Sequence, residues 1–210
     1  MKYLGKPAGM WALFAGSFEK HLTVEFDLTA EQAKDVAERA KKKYREIIAK
    51  LPEFDKRDRF EMNIVNCAML AAFILCMPQR PDIKTLTDYY AAAMMTPTMK
   101  AFCRASGKKK FTPKDIEGMK ATAKLRAGDR NPYSWNMDFF EYEDGSGYEA
   151  RFTTCGICTL MQALGLYDLT PALCHLDYTM SDAGGASDFV REYTLASGGP
   201  YCDCGYHKKQ

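Results

Sequence analysis

What this sequence lacks narrows its class before any motif is read. The longest apolar stretch, Cys67 to Met77, falls well short of the roughly 20 residues that span a bilayer, so it is expected to be a buried helix. Neither sign of charge dominates. Lysine and arginine total 29 against 27 aspartates and glutamates, a net charge of +2, which is too weak a bias to indicate nucleic acid. The runs Lys41–Lys43 and Lys108–Lys110 read as a solvated helix face and a helix-ending loop. The N-terminus, MKYLGKPAGMW, has no apolar segment leading to a small-residue cleavage site, so export is not indicated. There is no internal repeat and no low-complexity segment. A soluble, cytoplasmic protein with neither a nucleic-acid nor a membrane partner is expected.

What is present is cysteine. Five of the eight cysteines and two of the three histidines fall between Glu149 and His207. Without an export signal the thiols are expected to be reduced, which leaves packing, metal binding or catalysis as their roles. With 47% hydrophobic and 27% charged residues, the chain is ordinary for a globular protein and long enough to bury a core.

Residues 1–130 read as helical. A short helix is expected around Met10–His21, with His21 packed or solvated. Thr29-Ala-Glu-Gln32 has the form of a capping box. The apolar positions from Ala33 to Leu51 then follow helical spacing until Pro52. Asp58-Arg-Phe-Glu61 repeats the capping pattern before a helix that runs to Met77. That helix is apolar on every side and should be the central one. Its Cys67 and Cys76, and Cys103 further on, read as small core residues. Asp82, Thr96-Pro97 and Thr112-Pro113 open further helices, the last ending near Gly128. From 131 to 210 the periodicity changes. Trp135 to Glu143 and Tyr148 to Thr154 read as a hairpin around Asp144-Gly-Ser-Gly147. Cys155 to Leu164 and Thr170 to Met180 read as helices, and Ser187 to Leu195 and Tyr201 to His207 as strands. The expected fold is α+β, an N-terminal helical bundle packed on a small antiparallel sheet in β-β-α-α-β-β order. The two regions are expected to form one compact unit.

Cys155 lies where a strand runs into a helix, and backbone N–H groups at a helix start favour a thiolate over a thiol whose free pKa is roughly 8.5. Cys158, three residues on, shares its face. Cys174 and Asp177 are likewise three apart in an expected helix and project together, while His175 is turned about 100° away. Cys202 and Cys204 share one strand face and Asp203 points from the other. Three readings stay open: core thiols, a zinc site of Cys155, Cys158, Cys202 and Cys204, or a cysteine- and carboxylate-assisted pocket. The Cys-x-Cys half and the long separation are unlike common zinc ribbons.

The order Cys155, Leu164-Gly165, Pro171, Cys174, Asp177, Phe189, Thr194-Leu, Gly198 and Cys202-Asp203 resembles the L-2-amino-thiazoline-4-carboxylic acid hydrolase family over roughly residues 130–207. Two departures are visible: Cys204 stands where the family has an aromatic residue, and Cys158 is outside the pattern. The resemblance implies hydrolysis of a cyclic, amidine-like C–N or C–S bond, such as that of 2-aminothiazoline-4-carboxylate, in a small-molecule substrate. It implies Cys155 as nucleophile or water-positioning group, Asp177 as proton shuttle with a raised pKa in a dry site, and Cys174 and Cys202 at the pocket. Thr194 and the Gly198-Gly199 turn would donate to developing negative charge. Arg151 or Arg191, both on expected strands, would clamp a substrate carboxylate, with surface exposure the alternative for each. No cofactor is required. The rival reading is a non-enzymatic small-ligand or zinc-binding module on the same cysteines, and a homo-oligomer is compatible with either.

Overall fold

The computed structural model describes residues 1–128 and 130–209. The first helix, α1 (Lys6–Glu25), is longer than expected and buries Met10, Phe14, Phe18 and Leu22 at i, i+4 steps. Thr29 and Gln32 close the capping box of α2 (Ala30–Lys50). The centre of the bundle is α3 (Glu61–Cys76), in which Ile64 to Ile74 are buried without interruption. Helices α1, α2 and, later in the chain, α7 (Gly156–Ala163) all pack on it. Asp82, Thr96 and Thr112 cap α4 (Ile83–Met94), α5 (Pro97–Gly107) and α6 (Pro113–Arg126) through their side-chain oxygens. Among the described residues, no helix is long and apolar enough to cross a membrane.

The capping box expected at Asp58–Glu61 does not form. Phe60 is the N-cap of α3 and has no side-chain cap. Asp58 turns inward, accepting from Ser134 Oγ at 2.6 Å and pairing with Arg126 Nη1 at 3.1 Å. Both ionic side chains are buried, and Arg126 Nε also donates to the Trp135 carbonyl at 2.8 Å. A buried charge needs a paired, hydrogen-bonded partner, and that demand outweighs a helix cap. The result ties the start of α3 to the end of α6 and to the approach to the sheet.

The sheet has strand order β1-β2-β4-β3, antiparallel throughout, from β1 (Asp138–Glu141), β2 (Gly147–Phe152), β3 (Ser187–Val190) and β4 (Cys202–Lys208). Between β2 and β3 lie three α-helices, α7 (Gly156–Ala163), α8 (Thr170–Cys174) and α9 (Leu176–Gly184), where two were expected. The expected helix from Thr170 to Met180 divides at His175, where Tyr178 N bonds back only three residues to the His175 carbonyl at 3.2 Å. Thr170 caps nothing, and its buried hydroxyl has no partner among the described residues. Strand β3 stops at Val190, short of Leu195, because the Asp203 carboxylate captures Glu192 N (2.9 Å) and Tyr193 N (2.6 Å). Those N–H groups are lost to the ladder and the chain leaves the sheet. A short 3-10 turn, Leu195–Ser197, follows.

Register sorts the sheet into two faces. Phe152 faces Cys202, Ala150 faces Cys204 and Phe189 faces Tyr206. This face meets α9, where Tyr178 packs edge-on against Phe189 at 4.7 Å. Arg151 and Asp203 are paired in the register one residue out of step, on the opposite face.

Candidate active site

Cys155 is delivered by a short, heavily pinned segment. Asn136 accepts from Thr153 N (3.0 Å) and Thr154 N (2.7 Å), which fixes the exit from β2. Cys155 then serves as the extended N-cap of α7 (φ −137°, ψ 113°). Gly156 lets the helix start press on the chain beneath it, since a Cβ there would meet the Tyr133 carbonyl oxygen at 2.1 Å and Ile64 Cδ1 at 3.0 Å. Cys155 is only 9% exposed. The neighbouring Cys158 thiol is the main influence holding its pKa down to about 7. Burial opposes this, while the N–H groups of Cys158 and Ile157 and the Trp135 side chain assist. The same proximity, with burial, pushes the Cys158 thiol well up.

A second focus is Arg191. It lies one residue past β3 instead of within a strand, and its side chain is 6% exposed. Nη1 donates to the Cys174 carbonyl at 3.0 Å, and Nη2 donates to the Asp177 carboxylate and to Cys204 Sγ at 3.3 Å. The guanidinium also lies over the Phe189 ring at 4.7 Å. Nε is buried and has no partner among the described residues. Cys174 and Asp177 thus come together through Arg191, from two consecutive helices instead of one. The dry carboxylate expected at Asp177 is not found: its side chain is 46% exposed and ion-paired. Burial keeps the Cys174, Cys202 and Cys204 thiols protonated, pushing Cys204 up to about 12. Cys202 Sγ accepts from Leu195 N at 3.3 Å.

Two cavities flank the Arg191–Asp177 pair. One of about 200 Å³ is lined by Pro171, Cys174, His175, Arg191, Thr194 and Ser197, among others. The other, of about 280 Å³, takes in Asp177 with Arg59, Lys110, Asp115, Tyr148 and Tyr206. Cys155 lines neither.

Thr194 reaches the smaller cavity, but its hydroxyl already accepts from Ser197 N at 3.0 Å. The donors expected at the Gly198-Gly199 turn are also spent: Gly198 N bonds the Leu195 carbonyl at 3.2 Å and Gly199 N the Thr194 carbonyl at 2.8 Å. Gly198 itself supplies the left-handed residue of the turn (φ 81°). Arg151 is placed away from the cavities, paired with Glu149 at 2.7 Å and covering the Tyr201 ring at 4.4 Å. The four-cysteine zinc arrangement is not formed either. Among the described residues, no group of three or more His, Cys, Asp or Glu side chains is disposed to hold a metal ion. Cys155 and Cys158 lie on the first turn of α7, and Cys202 and Cys204 engage Leu195 and Arg191.

Sequence reasoning missed Trp135 and Tyr167, whose side chains reach Cys155 and Cys158 respectively. Nothing local marks either one. Gly156 did carry a signal, a glycine directly after a cysteine at a helix start.

The curated proteins and the solved structures compared with this chain gave no match. A family model described as L-2-amino-thiazoline-4-carboxylic acid hydrolase matches residues 57–206. The match reaches back past the β region through α6, α5, α4 and α3 to the buried Asp58, so the helical half shares in the likeness to a greater extent than its motifs suggested. With Cys155, Cys174, Asp177 and Cys202 all inside a match that covers most of its length, the chain belongs to the L-2-amino-thiazoline-4-carboxylic acid hydrolase family.

Proposed function

We propose that this protein is a hydrolase that opens a cyclic, amidine-like C–N or C–S bond in a small carboxylate substrate of the 2-aminothiazoline-4-carboxylate type. The observation that carries this reading is the Cys155 sulfur, a buried N-cap thiol at the start of α7 whose pKa is held down by the groups of that first turn, set apart from the protonated thiols around it. Its thiolate attacks the electrophilic ring carbon between the two heteroatoms. As the tetrahedral adduct collapses, one ring heteroatom leaves and takes a proton, and water then releases the product from sulfur. Arg191 Nε is buried and has no partner among the described residues, which suits a substrate carboxylate in the 200 Å³ cavity. A carboxylate arriving there competes with Asp177 for the guanidinium and frees Asp177 to move the proton.

The test is turnover of 2-aminothiazoline-4-carboxylate and related cyclic amidines. Cys155→Ser is expected to abolish it, and Asp177→Asn to slow it by about 10²-fold or more. Unchanged rates in both variants sink the assignment. One observation favours a second reading, a non-enzymatic ligand-binding module: Cys155 lines neither cavity. Saturable binding of the same compounds without turnover, lost in Arg191→Met, would establish that reading in place of the first.

A further inference from the structure

Cys158 takes part in no bond-making or proton-transfer step of the hydrolytic scheme, yet it shares the first turn of α7 with the reactive sulfur. Cys155 is the N-cap of α7 and Cys158 its third residue. A side chain at an N-cap reaches over the third helical residue, the geometry by which Ser and Thr cap. Here the same placement sets both sulfurs over the first turn of α7. Two of the other thiols nearby are occupied. Cys202 takes the Leu195 N–H and Cys204 the Arg191 guanidinium. Cys158 is half-buried beside Tyr167, which is 39% exposed, so the pair has a solvent-facing side.

We propose that Cys155 and Cys158 form a dithiol that a small hydroperoxide closes reversibly into an intrachain disulfide. The Cys155 thiolate attacks one peroxide oxygen, forming an S–O bond and breaking the O–O bond. Sulfur is oxidised to a sulfenic acid, and the peroxide is reduced to hydroxide or an alcohol. Cys158 gives up its proton and attacks the Cys155 sulfur, forming the S–S bond and expelling the oxygen as water. In total, two thiols and one hydroperoxide give one disulfide, one alcohol or water, and one further water. The 9% exposure of Cys155 selects the oxidant, because a peroxide can reach a sulfur that a bulky disulfide cannot approach in line. Excess thiol reverses the closure. Its consequence, reversible loss of the nucleophile, rests on the hydrolase reading, but the disulfide does not.

The test needs no substrate. The full reduced chain is treated with stoichiometric hydrogen peroxide, then denatured, alkylated and weighed intact. A loss of about 2 Da before alkylation, protection of two of the eight thiols, a Cys155–Cys158 linkage in peptide mapping and reversal by dithiothreitol are expected. Cys158→Ser is expected to stop at a sulfenic acid that dimedone traps, and to be carried irreversibly to the sulfinic acid by excess peroxide. The proposal is overturned if the wild type keeps all eight thiols, links a different pair or goes directly to the sulfinic acid, or if Cys158→Ser still forms a disulfide at Cys155. A chain that forms the disulfide but opens no cyclic amidine removes the proposed hydrolase and leaves the dithiol standing.

Discussion

At the scale of single residues, the site is a division of labour among thiols made by hydrogen bonds. Cys155 and Cys158 are the same residue type three positions apart, yet one is held down to about 7 and the other pushed far up, since a single proton serves both. The rate of Cys155 alkylation by iodoacetamide is therefore expected to rise with pH through a midpoint near 7. In Cys158→Ala, which removes the main influence holding it down, that midpoint should move up toward or beyond the ordinary thiol value of 9.0. A midpoint that stays in place would show that the backbone N–H groups alone set the reactivity. Such pairing was partly legible, since the spacing puts both cysteines on one face. The hub at Arg191 was not. Its partners come from α8, α9 and β4, and no local pattern announces an arginine that three distant elements will bury.

At the scale of elements, caps set by nearest neighbours were readable and those decided by tertiary pairing were not. Thr29, Asp82 and Thr112 cap as their spacing dictates. Asp58 carries the same local signal and is drawn away by Arg126, and β3 is cut short by Asp203 from another strand. The Asp58–Arg126 pair also yields a prediction. Asp58→Asn leaves a buried guanidinium without its carboxylate and should cost about 3–5 kcal/mol in urea unfolding. The double variant Asp58→Asn with Arg126→Met removes both charges and is expected to recover most of that loss. Equal losses in both variants would mean that the packing, and not the charge, matters.

At the scale of the whole molecule, the buried ionisable groups give stability a definite dependence on pH. Cys155 titrates near 7 when folded against 9.0 when unfolded, and Lys110 near 8 against 10.5, since burial penalises its ammonium. Over those windows the unfolded chain holds more protons, so stability rises with pH. Cys67, Cys174, Cys204, Tyr89, Tyr90 and Tyr206 act in the opposite sense. Burial keeps them neutral while the unfolded chain ionises above 9.0 for thiols and 10.0 for phenols. Each then removes stability at about 1.4 kcal/mol per pH unit. The melting temperature should climb from pH 7 to 9 and fall beyond 10, and a flat profile would contradict this pattern of burial. The chain's class was legible because composition and periodicity report it, and the buried Cys67, Cys76 and Cys103 followed from the apolar helix faces. The two cavities were not, because they are spaces between elements whose approach only the assembled fold defines.

That approach also limits what an engineer can change. Replacing helical glycines by alanine is a routine way to raise thermal stability, and at Gly118, where an added methyl group would meet nothing within 4 Å, it is expected to gain about 0.5–1 kcal/mol. At Gly156 the same substitution drives a methyl group into the Tyr133 carbonyl and lifts the end of α7 from its seat, carrying Cys155 with it. Robustness and reactivity are coupled at that one backbone contact, and a campaign that selects only for heat resistance would have to leave residue 156 untouched.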